Sequence, residues 1–528
     1  MYLEKEIKGM GYELFVNKLE NEIGNVSVTE NGALGYATSG KAILDMNFKI
    51  SSYRNRTAGE IIGDFKRSLE ETPRVALKWL FFARDVRGGA GERRLFRICM
   101  NWLAGEMPDL VKEFLPIIAD YGRFDDVLEL AKVPALRDNV AKFVWETLTQ
   151  DMTNYEQKKS ITLLAKWMPS ENASSQATRA AARNWIKMLG LSPKVYRKML
   201  SKLRAYIDVI EVKMSNNDWD EIDYEAVPSK ANLNYKDAFM RHDADRRQAY
   251  LNALQKGEAK INASTLFPHE IFSKVDRAVC SYWRSTNEDV AALEAMWKAL
   301  PDYVKGDGST ICVRDGSGSM TSRVSGDTSA LDVASALSVY FAERCTGAFK
   351  DKFITFSSRP QFVDMSGCKT LAEKAKLLQR YDECSNTNIE AVFNLILNLA
   401  VRNRMAQKDL PKNILILSDM EFDSCTRSGW YGENFNRPSA KLFNEIKERY
   451  EKAGYKLPRL VFWNINSRTN TVPLMQNDLG VALVSGFSAA IVKMVLSGKL
   501  DPFECLVETL NDKRYDAVDA AIKRYVTK

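Results

Sequence analysis

The 528-residue chain contains only two histidines, His242 and His269. Catalysis that leans on several imidazoles is therefore not expected. Its eight cysteines, at positions 99, 280, 312, 345, 368, 384, 425 and 505, include no CxxC pair. That scatter argues against a zinc ribbon or a disulfide frame and fits reduced thiols in a cytoplasmic protein. No stretch reaches the roughly 18 consecutive apolar residues of a membrane-spanning helix. The opening MYLEKEIKGMGYELF mixes acids and bases, without the apolar core of a secretory signal. HExxH, GxSxG, GxGxxG and GxxxxGK[ST] are also missing, so no familiar hydrolase, dinucleotide or ATP chemistry is announced and the expectation is a binding protein, not an enzyme.

What is present is the composition of a globular protein, 45% hydrophobic and 27% charged, at a length that implies two or three domains. Residues 1–57 are mixed and turn-rich. From 58 to 300, runs such as AGEIIGDFKRSLEE, PRVALKWLFFAR and PDLVKEFLPIIADY repeat apolar residues at spacings of three and four, punctuated by Pro73, Gly88, Gly89, Pro108 and Gly122. This predicts a stack of helices joined by short links, a HEAT-like α-helical domain. Between 301 and 500 the texture changes. Short apolar runs (STICVR, DKFITF, NILILS, RLVFWN, VALVS) alternate with amphipathic ones, which predicts a doubly wound parallel α/β sheet with PQFVDM as an antiparallel edge strand. Residues 501–528 read as further helices that pack back on the helical part.

Arg314-Asp315-Gly316-Ser317-Gly318-Ser319 follows the first strand of the α/β region. Asp, Ser and Ser at alternate positions on a glycine-lifted loop aim hard oxygen donors at one point, suited to Mg²⁺ or Mn²⁺ and poor for zinc. By itself the string also reads as a flexible turn. Thr387, near the head of a central helix, and Asp419, closing the strand NILILS, would fall on the same rim of a doubly wound sheet. The expected site binds one ion, with Ser317, Ser319 and Thr387 direct and Asp315 and Asp419 mostly through water. Few direct carboxylates leave the ion electrophilic, open to a Glu or Asp from a protein partner.

Net charge is +7, mild overall. Nine Lys/Arg nevertheless stand between Ile161 and Ile210 against Glu171 and Asp208 alone. Lys166, Arg197, Lys198, Lys202 and Arg204 are candidates for RNA contact, as are Arg87, Arg93 and Arg94 around the glycine turn Gly88–Gly91. A solvated helix face and a helix–turn–helix link are the bland readings of the two segments.

The order DxSxS, Thr, Asp on alternating β/α texture resembles the metal-ion-dependent adhesion site of von Willebrand factor A domains. Met420 stands where that family often has glycine. TENGALGYATSGKAILDMNF, FFARDVRGGAGERRLFR, YGRFDDVLEL and LLAKWMPSENASS together resemble the family named for domain of unknown function 2828. That family in turn is similar to the Ro/TROVE proteins, which join a helical-repeat ring to a von Willebrand A domain. The resemblance implies a Rossmann-like C-terminal domain and binding of structured or single-stranded RNA; the competing reading is a protein-interaction or assembly factor that uses the metal site without RNA.

Overall fold

The computed structural model describes residues 26–28, 34–280, 287–304, 309–382, 388–420, 440–467, 481–492 and 501–527. Contacts divide the chain into two units.

The helical unit takes its residues from Thr57–Phe267, Cys280–Pro301 and Leu510–Lys528. Its helices begin where local chemistry starts them. Thr57 caps Ala58–Glu71 in a reciprocal box, with the Thr57 N–H donating to Glu60 Oε2 at 2.8 Å and the Glu60 N–H to Thr57 Oγ1 at 3.3 Å. Pro73, Pro108 and Pro193 open Pro73–Arg84, Pro108–Tyr121 and Pro193–Ile207, where a missing N–H costs nothing. Consecutive helices pack on one another around Trp79, Phe81, Phe96 and Phe114, all buried. The expected helical domain is present. The C-terminal helix Asp516–Val526 completes it: Asp519 receives Arg74 Nε at 2.7 Å and Lys78 Nζ at 2.9 Å.

The α/β unit contains a six-stranded sheet. Its strands are β3 (Thr310–Asp315), β6 (Lys352–Phe356), β7 (Phe362–Asp364), β8 (Asn413–Ser418), β9 (Arg459–Asn464) and β10 (Val481–Ser485), while Val26–Val28 and Leu34–Tyr36 (β1, β2) and Arg323–Ser325 and Thr328–Ser329 (β4, β5) form separate small pairs. The sheet order is β10-β9-β8-β3-β6-β7, parallel except for β7, which runs antiparallel at the edge. β3 and β8 are buried along their whole length, as expected for strands covered on both faces. Ile311, Val313, Ile354, Ile414, Ile416 and Phe462 form the core with Phe393 and Ile396 of the helix Ile389–Arg402. This is the doubly wound α/β fold that the alternating sequence predicts.

The units interleave in sequence, unlike the contiguous division read from composition. Residues 34–56 and the segment Pro268–Val279 belong with the sheet. Phe48 lies in the sheet's core, Asn464 Nδ2 donates to Phe48 O at 2.7 Å, and Gln379 donates to Asp276 at 2.7 Å. Amphipathic periodicity shows that a helix has a buried face but not which core that face joins.

Candidate functional site

The strand order reverses between β3 and β8: the chain leaves β3 toward β6 on one side and later returns to place β8 on the other. A doubly wound sheet opens its binding crevice there, outside the carboxyl ends of the strands. The parallel register sets Arg314 against Leu417, so Asp315 and Ser418 leave the sheet side by side. The rim is polar, since β9 ends at Asn464 and β10 at Ser485, which are paired in register.

Asp315 is 2% exposed and Asp419 1%. Asp315 Oδ1 accepts the Ser317 N–H at 2.9 Å, closing the tight turn that an aspartate favours two residues ahead of itself. Its Oδ2 accepts the Ser418 hydroxyl at 2.6 Å. Ser317 Oγ and Ser319 Oγ lie 3.0 Å apart. Four of the five predicted metal residues are thus placed on adjacent loops at the switch point; Thr387 lies outside the described residues, just before the helix that Asn388 caps through the Ala391 N–H. Among the described residues no three His, Cys, Asp or Glu side chains gather as a metal cluster. A site here would rest on hydroxyl oxygens backed by two carboxylates, a donor set that fits a hard divalent cation.

Three features of this rim escaped sequence reasoning. Ser418 is a buried hydroxyl that fixes Asp315, and it also accepts the Met420 N–H at 3.0 Å. Met420 has φ +63° with its side chain 1% exposed, so the position that is often glycine in the resembling family does adopt a glycine-like backbone here, with a core side chain added. Arg314, 2% exposed on the central strand, donates to Ser335 Oγ at 2.8 Å and to Asp382. A polar residue at alternate strand spacing would have flagged Arg314; nothing local flags its partners.

The glycine turn has a different character. Three of its N–H groups are spent internally: Arg87 N on Asp85, Ala90 N on Phe82 O at 3.1 Å and Glu92 N on Ala83 O at 2.6 Å. A Cβ on Gly89 would come within 2.0 Å of Phe82 O, and Gly91 holds φ +74° against Phe267. Asp85 is locked by Arg514 through two nitrogens and by the Tyr515 hydroxyl. Asp85 and these three N–H groups tie the turn into the helical unit. Arg87, Arg93 and Arg94 are exposed beside it, with Arg93 3.7 Å from Asp125.

Of the basic cluster, Arg204 is committed to the fold. It donates to Ala165 O at 2.9 Å, Ser170 Oγ at 2.7 Å and Met168 O at 2.6 Å, and burial lowers its pKa. Lys166 faces Glu211 at 3.5 Å, and Arg197 pairs with Glu171 at 2.5 Å. Trp167 is half-buried under the Arg123 guanidinium, 4.5 Å from its ring centre. Lys198 and Lys202 are exposed and continue a stripe from Lys194 at i, i+4, i+8, with Arg183 and Lys187 exposed on the preceding helix Gln176–Met188. Among the described residues no carboxylate pairs with these five.

Fold and site together define a helical domain joined to a doubly wound α/β domain with a hydroxyl-rich rim. The chain resembles the family described as Domain of unknown function (DUF2828), matched over residues 29–120 and 174–310. A second description, Domain of unknown function (DUF7788), matches residues 309–524. "Uncharacterized protein L728" of Acanthamoeba polyphaga mimivirus is 29% identical over 530 residues, spanning 92% of this chain and 88% of that protein. Among solved structures, the Deinococcus radiodurans RO (RSR) protein overlays 89% of this chain and 92% of its own, at 12% identity and a TM-score of 0.35, a loose likeness. Among the described residues, no helix is long and apolar enough to cross a membrane.

Proposed function

We propose that this chain is a non-enzymatic binding protein whose α/β unit holds one Mg²⁺ or Mn²⁺ ion on Ser317, Ser319 and Thr387, with Asp315 and Asp419 behind them. One observation supports the reading: Ser317 and Ser319 stand together after β3, with the Asp315 carboxylate oriented by Ser317 and by Ser418, the residue before Asp419. A hard cation on this donor set supplies a coordination position for an acidic side chain of a protein partner. The rim residues hold and orient; none is placed as a base or nucleophile. Titrating the full chain with Mn²⁺ tests this. One saturable site, abolished by Ser317→Ala with Ser319→Ala, is expected; no uptake at millimolar Mn²⁺ removes the reading.

The helical unit adds a polyanion surface, and RNA is the partner its chemistry suits. The exposed Lys194, Lys198 and Lys202 stripe, in no ion pair among the described residues, favours this reading over an assembly factor that uses the metal site alone. Structured and single-stranded RNA in a filter assay distinguish the two. Salt-dependent retention supports the RNA reading, and no retention at low salt leaves the metal-dependent protein interaction.

A further inference from the structure

The most anomalous charge in the helical unit belongs to Arg247, on the helix Ala244–Lys256. Its side chain is fully buried. The guanidinium lies among three aromatic rings, 5.0 Å from the centre of Tyr224, 5.2 Å from Phe239 and 5.3 Å from Tyr250. One hydrogen bond is made, from Nη2 to Asn232 Oδ1 at 2.8 Å. Nε, Nη1 and the Asn232 amide nitrogen are buried with no acceptor. Among the described residues no carboxylate lies within ion-pair distance of Arg247; the neighbouring Asp243 is engaged by Arg246 at 3.0 Å and by the Tyr224 hydroxyl at 2.8 Å.

Ring faces attract a cation but offer nothing to N–H groups at the guanidinium edge. A buried charge without a counter-charge is costly, and so is each unsatisfied donor. Elsewhere in this unit buried cations are answered by carboxylates, Arg84 by Asp126 at 2.7 Å and Lys78 by Asp519 at 2.9 Å. Tyr224 and Phe239 share a small apolar cluster with Ile210, Ile222 and Val227, and the outer side of these last three lines a half-open pocket of about 280 Å³.

We infer that Arg247 and Asn232 form a binding site for a small monovalent anion, either a halide or the carboxylate of a small organic acid. The anion takes the unused N–H groups and neutralises the guanidinium inside its aromatic cage. Both sources share one chemistry, a single negative charge compact enough to reach an enclosed cation.

The test uses the full chain at constant ionic strength, with sodium bromide and sodium acetate titrated separately against the sodium salt of a bulky sulfonate buffer, which is neither halide nor carboxylate. Sulfate and phosphate are avoided because they stabilise most proteins by exclusion. The unfolding midpoint should rise saturably with bromide, acetate or both, as for a ligand that binds only the native state, and the rise should vanish in Arg247→Met. A flat response in both salts, or the same response in the variant, overturns the site and leaves buried water as the partner. Should Arg247→Met fail to fold, bromide-soaked crystals of the unaltered protein decide by anomalous scattering: a peak within hydrogen-bond distance of Arg247 supports the site, and its absence overturns it.

Discussion

Two glycine-bearing loops invite the same reading as ligand loops, and the structure separates them. In Asp85–Glu92 the carboxylate is consumed by Arg514 and Tyr515, and the Ala90 and Glu92 N–H groups are turned onto the preceding helix. In Asp315–Ser319 the carboxylate is held by one N–H and one hydroxyl, and two serine hydroxyls stand together at a sheet rim, half-buried. Glycine serves close packing in the first loop and side-chain presentation in the second. The two loops differ in where their donors are spent, not in the number of glycines.

The contrast can be broken most forcefully at the joint. Gly89→Ala drives a Cβ into Phe82 O, and Asp85→Ala strands Arg514 and Tyr515; each is expected to cost about 3 kcal/mol in urea unfolding. A loss below about 1 kcal/mol in both would mean the turn is not a joint. At the rim, Ser317→Ala with Ser319→Ala should leave unfolding within about 1 kcal/mol of the parent while Mn²⁺ uptake disappears. A large stability loss there would make the two loops alike. A smaller effect is expected on the exposed stripe: reversing Lys194, Lys198 and Lys202 to Glu should weaken RNA retention and flatten its salt dependence by roughly 0.7–0.9 for each phosphate no longer neutralised. Unchanged retention moves RNA binding off this face.

The smallest effect concerns pH. Hydrogen bonds from Arg74 and Lys78 hold the Asp519 carboxyl below its usual value. A depressed folded-state pKa adds stability that is present above the unfolded value of about 3.9 and lost as pH falls through the folded one. The protein should therefore lose this contribution only below about pH 4, and Asp519→Asn should show a shallower acid-side decline. Equal slopes would detach the C-terminal helix from that ion pair.

The α/β architecture was legible because buried parallel strands and amphipathic helices differ in period, and β3, β6, β8 and β9 coincide with the apolar runs. The placing of Asp315 and Asp419 at the carboxyl ends of neighbouring strands was legible because those strand ends follow the apolar runs. Ser418 was not, since a serine inside a strand looks like any other until its neighbour across the ladder is known. Arg514 was invisible for a different reason: it lies 429 residues from Asp85, and no local pattern couples them. Arg204 had the right charge and the wrong surroundings, because sequence counts cations without revealing which carbonyls they face.

The interleaved connectivity bears on biosynthesis. The helical unit draws its last pieces, Lys513–Tyr515 and Asp516–Val526, from chain that follows every strand of the sheet. As the polypeptide emerges from a ribosome, Asp85, Arg74 and Lys78 are already made, and Arg514 and Asp519 are still several hundred residues away. Domains that fold in order of synthesis complete themselves one after another; here the first-made helices must wait, their buried carboxylate and ammonium groups unanswered, until the α/β unit's strands have all been made and the chain beyond residue 510 has followed.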